Sequence, residues 1–130
     1  MSERRRYASG TPWEDVVGYS RAVRVGDHVV VSGTTATLPD GSIDGVGDPR
    51  KQTLRALENV RLALEALGAS LADVVRTRIY VTDITTWEVI GSAHGEVFGS
   101  IRPVTSMLEV RALIRPEILV EIEADAVVAR

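Results

Sequence analysis

The C-terminal stretch of the chain alternates apolar and acidic side chains with a period of two. The apolar members are Val120, Ile122, Ala124, Ala126 and Val128, and the acidic members are Glu121, Glu123 and Asp125. This period predicts a β-strand over residues 119–128 with one buried face and three acids about 7 Å apart on the other. Since helices have to cover the apolar face, the pattern favours an α+β fold in which one sheet carries its helices on a single face.

Charged side chains recur on two further predicted strands, over residues 74–81 and 106–113. The first carries Arg76 and Arg78 on one face, and the second carries Glu109 and Arg111. Opposite charges on one sheet face need partners. Two interpretations remain open: a solvated face linked by salt bridges, or a subunit interface or cleft in which one carboxylate is kept for chemistry.

Turn and capping residues predict the remaining elements. Gly26-Asp27 joins two apolar segments into a hairpin. Asp48-Pro49 begins a helix whose leucines recur at spacings of three and four. A capping-box pattern at Thr85–Glu88 predicts a second helix that ends near Phe98. No linker divides the sequence, so we expect one domain over residues 1–130.

Composition excludes several classes of protein. The chain has no cysteine, which removes thiol nucleophiles, iron–sulfur clusters, zinc knuckles and disulfides. A net charge of −3 argues against a nucleic-acid partner, and no segment is apolar enough for a membrane span or a secretory signal. His28 and His94 are too far apart in sequence for a local metal motif. Lys51 is the only lysine and begins a predicted surface helix, which disfavours a Schiff-base mechanism. The basic run Arg4–Arg6 is interpreted as a solvated end or edge strand. We therefore expect a cytoplasmic protein that does not use a metal ion.

Several segments resemble the motifs of one family. Residues 18–26, GYSRAVRVG, resemble the PYSQAVRVG opening of the reactive intermediate deaminase family (RidA/YjgF, formerly labelled endoribonuclease L-PSP). The other similar segments are VSGT at 31–34 (VSGQ in the family), the helix at 53–68 (QALENLKAVLEAAG), the strand at 74–83 (VVKTTVFLTD), PVTSMLEV at 103–110 (PARSCVEV) and VEIEA at 120–124 (VEIEAIA). The resemblance runs in order from Gly18 towards the end of the chain and predicts the fold of the family.

This resemblance implies a particular assembly and chemistry. The family forms homotrimers of chorismate-mutase-like α+β subunits, whose sheets surround a central barrel and whose ligand clefts lie between adjacent subunits. Such an assembly accounts for a charged sheet face. Characterised members hydrolyse reactive enamines and imines to ketoacids and ammonia without a cofactor. The expected partners are therefore two further copies of the chain and a small-molecule ligand at the subunit interfaces.

The resemblance also implies roles for particular residues. Glu121 matches the glutamate that positions water, and Tyr19 matches the aromatic wall of the cleft. The other expected substrate-binding positions are Ser32 and Gly33 at a strand end, Gly91 on the second helix, and Thr105, Ser106 and Met107 on a later strand. Thr105 replaces an arginine that grips the substrate carboxylate, Met107 replaces a cysteine, and Gly91 stands where an asparagine is frequent. The chain therefore resembles a divergent branch that lacks the arginine clamp.

The missing arginine has chemical consequences. A bidentate Arg–carboxylate contact in a partly desolvated cleft contributes roughly 1.5–3 kcal/mol, and a threonine hydroxyl does not replace it. Arg102 lies off the predicted strand, and Arg111 lies about 20 Å along it from Thr105, so neither is a convincing substitute. Two alternatives remain: the substrate lacks a carboxylate, or the chain binds a metabolite without transforming it.

His94 is a further candidate for acid–base chemistry. It follows Gly91 by three residues and Trp87 by seven, so the three share one face of the predicted helix. The competing interpretation is a solvent-facing or structurally hydrogen-bonded histidine. Trp13 and Trp87 are expected to pack in the core, with pocket walls as the alternative.

These observations favour a RidA-type enzyme that hydrolyses an enamine or imine in clefts between subunits. Glu121 would orient or deprotonate water, and burial should raise its pKa towards that of a base useful near neutral pH. Poor activity on 2-iminopropionate is expected, since Thr105 cannot clamp a carboxylate. The alternative is a non-catalytic trimer that binds a small metabolite. A ribonuclease is disfavoured by the acidic balance and by the lack of a histidine pair or a catalytic lysine.

Overall fold

A computed structural model describes residues 3–129 of the chain. Its strands are β1 (Arg4–Tyr7), β2 (Ala22–Val25), β3 (His28–Thr34), β4 (Val74–Val81), β5 (Val104–Glu109) and β6 (Val120–Val127). Its helices are α1 (Pro12–Val17), α2 (Pro49–Ala66) and α3 (Trp87–Phe98), with 3-10 turns at Leu71–Asp73 and Ile84–Thr86. Within this range no helix is long and apolar enough to cross a membrane.

The strands form one six-stranded sheet in the order β1-β2-β3-β6-β4-β5. Neighbouring strands are antiparallel, except that β4 and β5 run parallel and are joined through α3. Helix α2 packs against β3, β6 and α3, so the two long helices cover the same face of the sheet. This mixed sheet with helices on one face confirms the fold expected from the alternation in the last strand.

The hydrophobic core lies between that face and the two long helices. Asp48 caps α2 by accepting a hydrogen bond from the backbone N–H of Lys51 (3.0 Å), as the sequence predicts. The residues of α2 spaced by three and four then face the even-numbered residues of β6. Fully buried members include Leu57, Val60, Leu64, Ile79, Ile122 and Ala124. The odd-numbered residues of β6 therefore point away from the helices, and the sheet surface on which they lie is the open face.

The structure corrects several boundaries predicted from sequence. No capping box forms at Thr85–Glu88, because the carboxylate of Asp83 accepts the backbone N–H of Thr85 (3.0 Å) and a 3-10 turn precedes α3. Strand β5 begins earlier than expected and ends at Glu109, since its partner β4 ends at the same level. Arg111 consequently lies beyond the strand. Trp87 is 56% exposed, so the expectation that it packs in the core was wrong.

The N-terminal segment contains one element that the sequence pattern did not predict. Strand β1 pairs with β2 at the sheet edge, in agreement with the edge-strand interpretation of Arg4–Arg6. Helix α1 was not predicted, because its six residues are too few to display a helical period. It begins at Pro12, and the carboxylate of Glu14 accepts hydrogen bonds from the N–H (3.1 Å) and the hydroxyl (2.6 Å) of Thr11.

Candidate active site

Strand β3 departs from regular pairing where it approaches Glu121. Its register with β6 shifts between Val31 and Thr34, which is the signature of a β-bulge. The bulge brings the Cα atom of Gly33 against the Glu121 side chain. A Cβ atom at position 33 would lie 2.8 Å from Cδ of Glu121 and closer still to Oε2. Only glycine therefore leaves room for the carboxylate in this position.

The acids on the open face of β6 differ in their partners. Glu123 and Asp125 lie 3.7 and 3.8 Å from the guanidinium of Arg78, and the hydroxyl of Tyr80 donates to Glu123. Within residues 3–129, the carboxylate of Glu121 accepts no hydrogen bond and forms no ion pair. The salt-bridged interpretation of this face thus describes two of its acids and leaves the third available.

Burial determines the proton affinity of the Glu121 carboxylate. Removal of water from the half-buried side chain raises its pKa above the usual range of a glutamate. The positive charge of Arg21 opposes this effect, and the negative charge of Glu123 adds to it. A carboxylate with raised proton affinity and no fixed partner has the properties of a general base.

The buried guanidinium of Arg21 organises the surroundings of Glu121. Arg21 is 7% exposed. One of its terminal nitrogens donates to the carbonyl oxygen of Gly33 (2.5 Å) and to Oγ1 of Thr34 (3.3 Å). The other donates to the hydroxyl of Tyr19 (3.2 Å), whose ring centroid lies 5.5 Å from Cζ of Arg21. Arg21 therefore joins Tyr19 and Gly33, two of the residues expected at the cleft, to the neighbourhood of Glu121.

The charge of Arg21 is compensated by a buried acid of α1. Glu14 is 5% exposed, and its Oε2 atom lies 3.9 Å from a terminal nitrogen of Arg21. Burial alone would raise the pKa of Glu14, but hydrogen bonds from Ser9 and Thr11 outweigh it and hold the pKa below its usual value. Glu14 is therefore ionised at neutral pH. The nearby Ser32 hydroxyl donates to the carbonyl of Ser20 (2.6 Å) and is engaged in holding the strand end.

A second group of expected site residues lies between β4, β5 and α3. Oγ1 of Thr77 lies 2.9 Å from Nε2 of His94 and 2.7 Å from Oγ1 of Thr105. The His94 ring packs against Phe98 with a centroid separation of 4.7 Å. Burial lowers the pKa of His94, so its imidazole is neutral at pH 7. Thr105 therefore belongs to an uncharged hydrogen-bonded chain.

Gly91 and Met107 border the same group. A Cβ atom at position 91 would lie 4.0 Å from Cε of Met107 and the same distance from the Trp87 ring, an ordinary van der Waals separation. Ser106, in contrast, pairs with Arg78 across the β4–β5 ladder and so follows the alternation onto the open face.

The two groups of candidate residues lie on opposite faces of the sheet. Thr77 is fully buried on the helix-covered face, and its hydrogen bond places Thr105 on that face as well. Glu121 lies on the open face with Tyr80, its register partner. One subunit thus brings Glu121 together with Tyr19 and Gly33 but does not bring it together with Thr105.

Neither of the two arginines near Thr105 in sequence replaces the missing clamp. The guanidinium of Arg102 is exposed and donates to the carbonyl of Gly99 (3.1 Å) at the end of α3. Arg111 is exposed beyond β5. Between residues 3 and 129 there is also no group of histidine and acidic side chains that could hold a metal ion.

Sequence reasoning missed Arg21, Glu14 and Thr77. Arg21 stands where the family motif PYSQAVRVG has glutamine, and this difference could have indicated that Arg21 has a particular role. Glu14 completes a Thr-x-x-Glu capping pattern after a proline-marked helix start. Thr77 is a polar residue at an inward position of β4, and such a residue requires a buried partner.

Comparisons with known proteins agree with this architecture. The model of the family "Endoribonuclease L-PSP" matches residues 11–128. The uncharacterised protein SCO2049 of Streptomyces coelicolor is 41% identical over 94% of this chain and 90% of its own length. A RutC family protein of Pyrococcus abyssi is 35% identical over 83% of this chain and 84% of its own length.

A solved structure gives the same result. The crystal structure of Rv2704 from Mycobacterium tuberculosis, described as a member of the YjgF/YER057c/UK114 family, superimposes with a TM-score of 0.88. It is 56% identical to this chain, and the match covers 97% of this chain and 100% of that one. The family model and these relatives together show that the chain belongs to the endoribonuclease L-PSP family, which is the RidA/YjgF family that its motifs resemble.

Proposed function

We propose that the protein hydrolyses the C=N bond of an imine, or of the imine formed from an enamine, without a cofactor. The observation that carries this proposal is the state of Glu121: half-buried, raised in pKa, free of ion pairs within residues 3–129 and held against Gly33. A carboxylate in this state accepts a proton from water at the moment of attack. Family membership supports a small-molecule role of this kind.

The reaction needs one group that moves a proton in both directions. Water adds to the carbon of the protonated imine (C=NH₂⁺) while Glu121 takes one of its protons, which gives a neutral carbinolamine. The protonated carboxyl then returns this proton to nitrogen, and the C–N bond breaks as Glu121 takes the proton of the carbinol hydroxyl. A carbonyl compound and ammonia leave, and the ammonia takes up the remaining proton as ammonium. In this proposal Tyr19, which is held by the hydrogen bond from Arg21, contacts the substrate.

The substrate we propose lacks the carboxylate that an arginine clamp would hold. Thr105 offers a neutral hydroxyl that is bonded to Thr77, and His94 behind it is uncharged at neutral pH. Desolvating a carboxylate beside neutral groups is unfavourable. We therefore expect 2-iminopropionate, an imino acid, to be a poor substrate.

The site we propose is shared between subunits of a homotrimer. Because Glu121 and Thr105 lie on opposite faces of one sheet, a cleft that contains both requires two copies of the chain. The open face also exposes apolar side chains next to its charges, among them Val30 and Leu108. Burial of such a face in an assembly supports this arrangement.

The experiment compares two classes of imine generated in solution, a neutral imine from an amine oxidase and an imino acid from an amino-acid oxidase. Ammonia release above the spontaneous rate is expected for the neutral imine. Glu121→Gln should reduce that excess rate roughly 10²–10⁴-fold, whereas Glu123→Gln should leave it within a few-fold. Full activity in Glu121→Gln would overturn the proposed mechanism.

The second candidate is a trimer that binds a small metabolite without changing it. It is favoured by the apolar lining of the Thr105 group, where Met107 and the exposed Trp87 flank Gly91. Calorimetric binding of a neutral imine analogue with no turnover of any imine would support it. In either case we propose a cytoplasmic protein that has no nucleic-acid or membrane partner. A ribonuclease remains disfavoured, since the net charge of −3 opposes the binding of a polyanion.

A further inference from the structure

Arg21 is a buried cation that lies between two acids with opposite properties. Glu14 receives four hydrogen bonds and lies 3.9 Å from the guanidinium. Glu121 receives none within residues 3–129, although the charge of Arg21 acts on it. Gly33 connects the two sides, since Arg21 donates to its carbonyl oxygen and Glu121 packs against its Cα.

We infer that Glu14 is a positioning residue for Glu121 and that it acts through Arg21. Glu14 neutralises the guanidinium and keeps its donors directed at Tyr19 and Gly33 instead of at the Glu121 carboxylate. The inference rests on the proposed function, in which an unpaired Glu121 is the base. It assigns to the short helix α1 a part in the chemistry of a residue on the distant strand β6.

Opposite charges have to balance in a partly desolvated site such as this one. A guanidinium at 7% exposure requires an anion, and Glu14 supplies it with a rigid set of contacts. If Glu14 lost its charge, Glu121, on which the charge of Arg21 already acts, would become its partner, and an Arg–carboxylate pair would form there. That pair would hold Glu121 as an anion and remove its ability to take a proton.

The other charged groups that face Glu121 leave this relationship intact. On its own strand, Glu123 lies on the same face, but it is engaged by Arg78 and by the hydroxyl of Tyr80 on β4. Hydrogen bonding to Glu123 raises the pKa of Tyr80, so this phenol stays neutral at pH 7. From the side of β3, the charged group that acts on Glu121 is Arg21, which is itself paired with Glu14 of α1.

The experiment measures the titration of the Glu121 carboxyl carbon by NMR in the intact protein, with the signal assigned by its loss in Glu121→Gln. Glu14→Gln should lower the proton affinity of Glu121 about tenfold, and Arg21→Gln should raise it about tenfold. The control is Glu96→Gln, which removes an exposed acid paired with Arg50 on another surface and should change nothing.

The opposite signs of the two changes are the decisive outcome, because general loosening of the site would move both in one direction. Titration of Glu121 that is the same in all variants overturns the inference. If Glu14→Gln does not fold, Glu14→Asp keeps the charge but withdraws it, and it should lower the proton affinity by a smaller factor; no change there also overturns the inference.

The result is separable from the proposed function. Opposite shifts in titration together with full turnover in Glu121→Gln would leave the coupling intact and remove the hydrolase mechanism. A Glu121 titration that ignores Glu14 and Arg21, together with loss of turnover in Glu121→Gln, would remove only the coupling.

Discussion

Gly33 and Glu121 lie in direct contact across the β3–β6 ladder, with no side chain between the backbone of one and the carboxylate of the other. The bulge in β3 produces this contact, and any Cβ at position 33 would occupy the space of the Glu121 carboxylate.

We expect Gly33→Ala to displace the Glu121 carboxylate and to reduce imine hydrolysis about 10²-fold, the scale associated with a misplacement of about 1 Å. The control is Gly95→Ala on α3, where an added Cβ meets nothing within 4 Å and should stabilise the helix by about 0.5–1 kcal/mol. Turnover of both variants is measured under the conditions used for the parent. An equally active Gly33→Ala protein would show that the close contact has no chemical importance.

The difference in stability between Glu121→Gln and the parent protein should depend on pH in a defined direction. Because the pKa of Glu121 is raised in the folded state, the folded protein binds this proton more tightly than the unfolded chain does. The ionised carboxylate therefore lowers stability as pH rises above the usual glutamate value, and glutamine removes that penalty. Urea denaturation should find the variant at least as stable as the parent at pH 7.5, with the difference gone below about pH 4. A less stable variant at pH 7.5 would assign Glu121 a structural role.

Glu123→Gln should behave in the opposite way. Its carboxylate is the partner of Arg78 and Tyr80 on the open face, so its loss should weaken folding or assembly by about 1 kcal/mol while turnover stays within a few-fold. Denaturation and ammonia release are measured on the same preparation. If turnover collapses in Glu123→Gln and survives in Glu121→Gln, the two acids have been assigned the wrong way round.

Thr77→Val removes the hydroxyl that joins His94 to Thr105 while it keeps the shape of the side chain. The expected loss of stability is about 1–3 kcal/mol, because the partly buried His94 nitrogen is left without its partner. Thr105 is exposed, and Thr105→Val leaves the Thr77–His94 bond in place, so this variant should lose less stability. Equal urea midpoints for the two variants would contradict this account.

Light scattering at micromolar concentration should report a trimer. An isolated subunit would leave Val30, Leu108 and the partly paired charges of the open face in water. A monomer at that concentration would exclude a cleft built from Glu121 of one copy and Thr105 of another.

Periodicity was sufficient for the architecture because the long elements repeat their pattern many times. The alternation in β6 and the leucine spacing in α2 each involve most residues of their element, and both were confirmed. Short elements such as α1 contain too little repetition. The start of the second long helix was misplaced because the sequence pattern favoured a cap at Thr85. In the structure Asp83 accepts the backbone N–H of Thr85 and caps a 3-10 turn instead.

The candidate site was predictable only where a motif named a residue. Glu121, Tyr19 and Gly33 came from motifs, and their grouping followed from the fold. The pairing of Arg21 with Glu14 depends on how α1 folds back towards β3, and the contact of His94 with Thr77 depends on how α3 crosses β4. Neither contact has a signature in local sequence spacing.

The placement of Glu121 and Thr105 on opposite faces has a consequence for inheritance. In the proposed assembly each chain contributes its open face to one cleft and its helix-covered edge to another. A chain that still assembles but is altered on both faces would therefore impair two clefts. Two variant chains, one altered at Glu121 and one at Thr105, would form an intact cleft where the unaltered Glu121 of one meets the unaltered Thr105 of the other. Two inactive variants should thus restore activity to each other in mixed trimers when their mutations lie on different faces of the sheet, and should fail to do so when both lie on the same face.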